Sequence, residues 1–375
     1  MWPDNRILDL FGIQLPIIQA PMAGSVAADL VVAVSEAGGL GSLPCAQLSL
    51  QQARTELEVI RRKTSRPINV NFFCHQQPRD NPPREMNWRR RLDAYYVQLG
   101  VDNNTAVLSP NRAPFDHKMC DLVMEFHPEV VSFHFGLPDK DLLTRVRKTD
   151  AKIISSATSV DEARWLEDQG CDAIVAQGYE AGGHRGIFLS EDVSTQVGTM
   201  ALVPQMVDAV KVPVIAAGGI ADSRGIVASF SLGAAAVQIG TAYLLCPEAK
   251  TSPIYRRALK QAKDNETVLT NVFTGRPARG IVNRLVREVG PMSDLAPDFP
   301  CAAAALAPLR AKSEMAGSAD FTPLWSGQSI RLSRELPAAE LTKRLAAETL
   351  AKLTLPRIQA FADDHLLAQA EALRR

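Results

Sequence analysis

Eight short apolar runs alternating with amphipathic helical stretches predict an α/β protein, a (β/α)8 TIM barrel carrying a smaller, mainly helical second lobe over the C-terminal face of the barrel. Three observations lead there. The runs are apolar almost throughout, as strands of a parallel sheet covered on both faces must be. Glycine pairs cluster just after the later runs, where a barrel carries its active site. The alternation lapses after Cys246, which calls for a separate unit.

In chain order the strand candidates are 17–20 (IIQA), 39–43 (GLGSL), 68–73 (INVNFF), 130–135 (VVSFHF), 151–156 (AKIISS), 173–177 (AIVAQ), 212–217 (VPVIAA) and 235–239 (AAVQI). Helices are predicted between them. One spans Ser25 to Ala37. A second spans Ser159 to Gln169, with Ser159 as N-cap, Glu162 three residues on and Gly170 as the stop. A third runs from Asp222 to Leu232 and is stopped by Gly233. A doubly wound open sheet would need fewer strands and a GxGxxG turn after the first; that turn is Ala20-Pro-Met-Ala-Gly24.

The expected organisation is a barrel over 1–245, a substrate-side lobe over 246–325 and a C-terminal helical tail over 326–375, with an insertion at about 74–128 after the third strand. The 375 residues suffice for this, and 46% hydrophobic with 22% charged residues is ordinary for a globular protein with a real core. Lys+Arg and Asp+Glu both total 41, so no global field draws in nucleic acid or an anionic membrane. Trp88-Arg-Arg-Arg91 reads as a solvated helix face. The six cysteines form no CxxC pair, which suggests reduced thiols and a cytoplasmic protein. The start, MWPDNRILDLFGI, lacks the basic-then-apolar pattern of a signal peptide, and no apolar stretch reaches the roughly 20 residues that span a bilayer. A monomer or homodimer is expected.

The seventh strand ends in Ala217-Gly-Gly-Ile220 and the eighth in Gln238-Ile-Gly-Thr241. Loops at these positions of a barrel often hold a phosphate on bare backbone N–H groups, a task suited to Gly218, Gly219, Gly240 and Thr241. The sixth strand ends in Gln177-Gly-Tyr-Glu-Ala-Gly-Gly-His-Arg-Gly186, placing Gly182, Gly183 and His184 over the barrel mouth. Amides at the strand ends, Gln19, Asn71 and Gln177, match a ring with both donors and acceptors. These features suggest a phosphorylated cofactor, flavin mononucleotide (FMN) ahead of pyridoxal phosphate, since Lys152 starts a strand and lies at the wrong face for a Schiff base.

Gln19-Ala-Pro-Met-Ala-Gly24 with Ala33 to Gly41, Val70 to Phe73, Ala157 to Ala163 with Gln177 to Gly186, and Ala201 to Gln205 with Pro213 to Ile220 and Gly233 to Thr241 resemble the four signatures of the class I nitronate monooxygenases (2-nitropropane dioxygenases). The resemblance implies a metal-free, FMN-bearing barrel that oxidises alkyl nitronates, propionate 3-nitronate above all, with O2, giving a carbonyl compound and nitrite. It assigns Asn71, Gln177, Gly182, Gly219 and the run Gln238, Ile239, Gly240, Thr241 to FMN, with Met22 and Ala23 as backbone beside the flavin ring; Gly183 and Gly218 join them as bare backbone at the two strand-end loops. His184 corresponds to the catalytic histidine and His134 to a second active-site histidine; His75 is a third candidate. Imidazole titrates near neutrality, so His184 suits proton abstraction from a nitroalkane or charge balance of a nitronate. His117, His127 and His365 are read as surface or loop residues.

Members of this family carry tyrosines and a lysine in the segment corresponding to residues 298–307, where this chain has Phe299 and alanines. That substitution predicts a preference for apolar or bulkier nitronates, or a different substrate altogether. Arg276, Arg279 and Arg284 are alternative anion anchors, and Trp325-Ser-Gly-Gln328 resembles a late family element that returns to the flavin. The alternative reading is an FMN-dependent NAD(P)H reductase of the same superfamily, acting on enoyl thioesters or quinones; a flavin-binding regulator without catalysis is a third.

Overall fold

The computed structural model describes residues 1–102 and 112–354. Its strands, in chain order, are β1 (Ile17–Gln19), β2 (Gly41–Pro44), β3 (Ile68–Phe73), β4 (Val130–His134), β5 (Lys152–Ala157), β6 (Ala173–Gln177), β7 (Gly183–His184), β8 (Val214–Ala217), β9 (Ala236–Ile239), β10 (Thr267–Thr270) and β11 (Ala278–Ile281). Eight of them form one parallel sheet in the order β1-β9-β8-β6-β5-β4-β3-β2. The Ile18–Leu40 bridge returns β1 to the β2 side, so the sheet closes into the expected barrel. All eight strand candidates are strands of this barrel, with ends shifted by one or two residues.

Capping residues place the helices as the sequence indicates. The Ser159 side chain accepts from the Glu162 amide, and Gly170 at φ +81° ends that helix. The Glu162 carboxylate departs from the capping-box expectation: it accepts from Thr158 and from the amides of Phe188 and Leu189, tying the loop after β7 to the barrel. Asp222 caps the helix Ser223–Ser231 in the same manner as Ser159.

Two apolar cores follow. One lies between the strands and the outer helices. The other fills the barrel floor, where Ile7 and Phe11 of the helix Arg6–Phe11 pack beneath Ile18, Val130, Ile154 and Ile215. The N-terminal segment is therefore the plug of the barrel.

The lobe differs from a mainly helical cap in one respect that matters for the site. At its centre is a three-stranded antiparallel sheet, β10-β11-β7, whose third strand is borrowed from the loop after β6. The insertion after β3 belongs to the same body. Its helix Pro82–Leu99 packs through Trp88, Leu92 and Tyr96 on the helix Ala302–Met315, and the Trp88 indole donates to the Ala302 carbonyl at 3.1 Å. Trp88 is thus a core anchor and not part of a solvated face, although Arg90 and Arg91 beside it are exposed. Of the expected C-terminal tail, residues 338–354 are helical and pack on the barrel through Ala338, Leu341 and Leu345, in the place of an eighth barrel helix. The stretch 355–375, with His365, lies outside the described residues.

Candidate active site

Where the strand ends meet the lobe lies a cavity of about 360 Å³. Its walls include every sequence-derived cofactor position except Ile239 and Gln19: Met22, Ala23, Asn71, Gln177, Gly182, Gly183, Gly218, Gly219, Gln238, Gly240 and Thr241. Alternation along β9 turns the Ile239 side chain into the apolar core behind the wall. Gln19 is also redirected. Its Oε1 accepts from the Ser42 amide at 2.9 Å and its Nε2 donates to the Ala20 carbonyl, both within the barrel wall.

The loop Glu180–Gly186 is built almost entirely by local necessity. The Glu180 carboxylate accepts from the Thr199 amide and hydroxyl, each at 2.8 Å, capping the helix Thr199–Ala209. At Gly182 a Cβ would stand 2.5 Å from the Gly327 nitrogen, so the lobe segment crossing the mouth is what excludes a side chain. Gly183 adopts φ +74°, the left-handed region that glycine enters without strain. Arg185 is fully buried; its guanidinium donates to the carbonyls of Gln177 and Gly178, both at 2.8 Å, and to the Gln196 side chain. These glycines accommodate the lobe and the turn, rather than clearing room for a cofactor alone.

The result is that His184 is held by its backbone. Its carbonyl accepts from Gln177 Nε2 at 3.0 Å and from His134 Nε2 at 3.2 Å, and it pairs with Ala278 in the lobe sheet. Gln177 Oε1 accepts from the Gly186 amide at 2.7 Å, and Asn71 Nδ2 donates to Ser132. The Gln177 amide therefore serves first to tether the loop. His134 is similarly committed: with Nε2 donating, its Nδ1 accepts from the Ser156 hydroxyl at 2.8 Å. Burial holds the His134 pKa down to about 3, so the ring is neutral.

The His184 ring sits among Phe73, Phe135, Phe299 and Trp325, with centroids 5.3–6.2 Å away. Its Nε2 lies 2.9 Å from the Thr274 hydroxyl, a partner that no sequence motif singles out. Burial comes first, and the Arg112 guanidinium second, in holding its pKa well below the ordinary imidazole value. His75 is buried beside Phe299 and Arg276 and does not line the cavity; burial lowers its pKa to about 4. His117 and His127 lie on the helix His117–Phe126 and its C-cap, away from the site.

The opposite wall is the glycine rim. Gly218 (φ +111°) and Gly219 (φ +70°) turn sharply after β8, and Gly240 and Thr241 follow β9. Among the described residues no loop or side-chain acceptor takes the amides of Gly218, Gly219 or Thr241. Free donor amides on positive-φ glycine turns fit a phosphate-bearing group. Segment 325–328 crosses this rim: Gly327 donates to Thr241 Oγ1 at 2.9 Å and Gln328 to the Glu180 carbonyl at 3.0 Å.

Of the three anion-anchor candidates, none lines the cavity. Arg276 lies over the Phe135 ring and donates to the Ile187 carbonyl, Arg279 donates to the Tyr179 carbonyl, and Arg284 pairs with Glu288. The arginines that do line it are Arg112 and Arg310.

Comparison with known proteins agrees with this geometry. The profile of the nitronate monooxygenase family matches residues 4–348. The chain is 40% identical over 346 residues to a nitronate monooxygenase of Pseudomonas aeruginosa, covering 92% of this chain and 99% of that one. It is 39% identical, over 92% of this chain and 97% of the other, to a probable nitronate monooxygenase of Staphylococcus saprophyticus. Among solved structures, a nitroalkane oxidase from Streptomyces ansochromogenes superposes with a TM-score of 0.84 at 37% identity, covering 93% and 99% of the two chains. FabK from Thermotoga maritima superposes at 0.70 with 27% identity, covering 95% and 98%. By its barrel, its cavity and these likenesses along nearly its whole length, this chain belongs to the nitronate monooxygenase family of oxidoreductases.

Proposed function

We propose that this protein oxidises alkyl nitronates with O2 to a carbonyl compound and nitrite, using FMN held in the barrel mouth, as a cytoplasmic detoxifying enzyme. The observation that carries this reading is His184: a neutral imidazole on the cavity wall, fixed through its backbone by Gln177, His134 and the lobe sheet. Family membership supports the chemistry.

The residues that would hold the cofactor are the amides of Gly218, Gly219 and Thr241 for its phosphate, with Met22, Ala23, Asn71, Gly182, Gln238 and Gly240 along the cavity walls. FMN would supply the redox chemistry, accepting an electron from substrate. The chain's own residues bind and orient. The Thr274 hydroxyl proton is directed toward the Arg276 carbonyl at 3.4 Å, so His184 Nε2 donates to Thr274. This leaves the Nδ1 lone pair to take a proton from a neutral nitroalkane. The aromatic walls exclude water around that atom.

The test is spectroscopic. A nitronate added anaerobically should reduce the bound flavin, and O2 consumption should accompany nitrite release in air. Rapid anaerobic bleaching by NADH or NADPH, with no nitrite from nitronates, would instead establish the reductase reading.

A further inference from the structure

Resting on that reading of the site, we propose that Arg112 is a specificity residue that binds a carboxylate on the substrate, at the end of a short carbon chain from the nitro group. Arg112 lines the cavity beside the catalytic wall. Its guanidinium carbon lies 5.7 Å from the centroid of Phe299, and the His184 ring lies 5.3 Å from the same ring. Both groups therefore lie against one phenyl ring, and Arg112 is the foremost charge acting on the His184 ring.

The Arg112 guanidinium is incompletely satisfied. Its Nη1 is buried and has no hydrogen-bond partner. Among the described residues it forms no ion pair, in contrast to Arg310. Arg310, at the cavity rim, is tied to Glu314 at 2.7 Å. Arg276 lies over the Phe135 ring, donates to the Ile187 carbonyl and does not line the cavity. The electrostatic surroundings of His184 are cationic or neutral on every side: Arg112, Arg276, His134 and His75 all disfavour its protonation, and no carboxylate offsets them. Burial, with Arg310 beside it, lowers the Arg112 pKa to about 10, which leaves it charged at neutral pH.

A half-buried cation with a buried open donor, and no counter-ion among the described residues, is complementary to an anion. A guanidinium fork matches a carboxylate in two parallel hydrogen bonds. The apolar run at 298–307 thus does not make the cavity indifferent to charge. Phe299 instead supplies the ring face against which Arg112 rests, and anion recognition comes from the segment before the helix His117–Phe126. This inference reverses the preference for uncharged nitronates expected from the alanines.

The experiment compares the wild-type holoenzyme with Arg112→Met and Arg112→Lys, using propionate 3-nitronate and butyl-1-nitronate. The wild type should favour the carboxylated nitronate at least about tenfold in kcat/KM, through KM. Arg112→Met should abolish that ratio and Arg112→Lys should keep part of it. Equal kcat/KM for both nitronates in the wild type, or a preference that survives in Arg112→Met, would overturn the proposal. Calorimetric titration with 3-nitropropionate and 1-nitrobutane adds a readout independent of turnover. Arg112→Met should weaken binding of the first about 10- to 100-fold more than of the second. If neither nitronate is oxidised yet this difference is found, the nitronate reading falls and the carboxylate site stands. If both are oxidised and no difference is found, the carboxylate site falls alone.

Discussion

The glycine at 182 separates two physical explanations of the same loop. If it is there for the lobe, alanine at this position damages the protein whether or not a cofactor is bound. The added Cβ would lie 2.5 Å from the Gly327 nitrogen and 2.6 Å from the Ser326 carbonyl carbon. Ordinary contact begins near 3.4 Å, so the crossing segment must retreat by about 1 Å. Gly182 itself is not at positive φ, so no backbone strain adds to the clash. Overpacking against backbone costs about 1–3 kcal/mol. For a chain of this size that is a fall in Tm of about 1–4 °C. Retreat of the segment would also loosen the bonds from Gly327 to Thr241 and from Gln328 to Glu180. The assay is differential scanning calorimetry of Gly182→Ala and wild type, each with and without cofactor, alongside cofactor affinity. A comparable loss of Tm in both states is expected. An unchanged Tm without cofactor, combined with a large loss of cofactor affinity, would refute the argument and return Gly182 to the cofactor.

Thr274→Val removes the hydroxyl that orients the His184 ring, and should lower kcat/KM about tenfold while the bound-cofactor spectrum stays unchanged. His184→Asn should lower turnover about 10²- to 10⁴-fold with cofactor retained; full activity would remove His184 from the chemistry. Acid stability follows from the buried imidazoles. His134 and His75 have folded pKa values of about 3 and 4, below the ordinary 6.5, so the unfolded chain binds more protons between those limits. Their contribution to stability is fully present above pH 6.5 and is lost as pH falls through that window, at about 1.4 kcal/mol per pH unit for each group. His75→Phe should remove one group's share of the slope between pH 6.5 and 4 in denaturant titrations, and an unchanged slope would contradict this.

The barrel is legible in the sequence because its signals are local and repeated. Apolar runs bounded by caps such as Ser159 and Asp222 carry their own punctuation, and the glycine turns after β8 and β9 fall where the fold requires them. What escapes a sequence reading is set by distant pairing. Nothing near Gly183 indicates that it pairs with Arg279, or that Thr274 meets the His184 ring across 90 positions. Trp88 has the sequence context of a charged face because its partner, Ala302, is 214 positions away. Gln19 and Gln177 are strand-end amides as their runs indicate, but no local pattern says whether such an amide faces a ligand or its own backbone. Arg112 carries no motif at all; it is conspicuous only once the acids able to pair with it are seen to be elsewhere.

The helix over 338–354 has a consequence for the order in which the protein is made. Tyr243, just past β9, bonds through its hydroxyl to Thr342 at 2.8 Å, 99 positions later in the chain. The Cγ2 of that same threonine lies 3.3 Å from where a Cβ on Gly39 would stand, beside the seam at which β1 meets the β2 side. A ribosome therefore releases all eight barrel strands and the whole lobe before it releases the segment that covers the seam. Until then the nascent barrel exposes the apolar surface that Ala338, Leu341 and Leu345 will cover, and the lobe has time to fold against an unfinished cylinder.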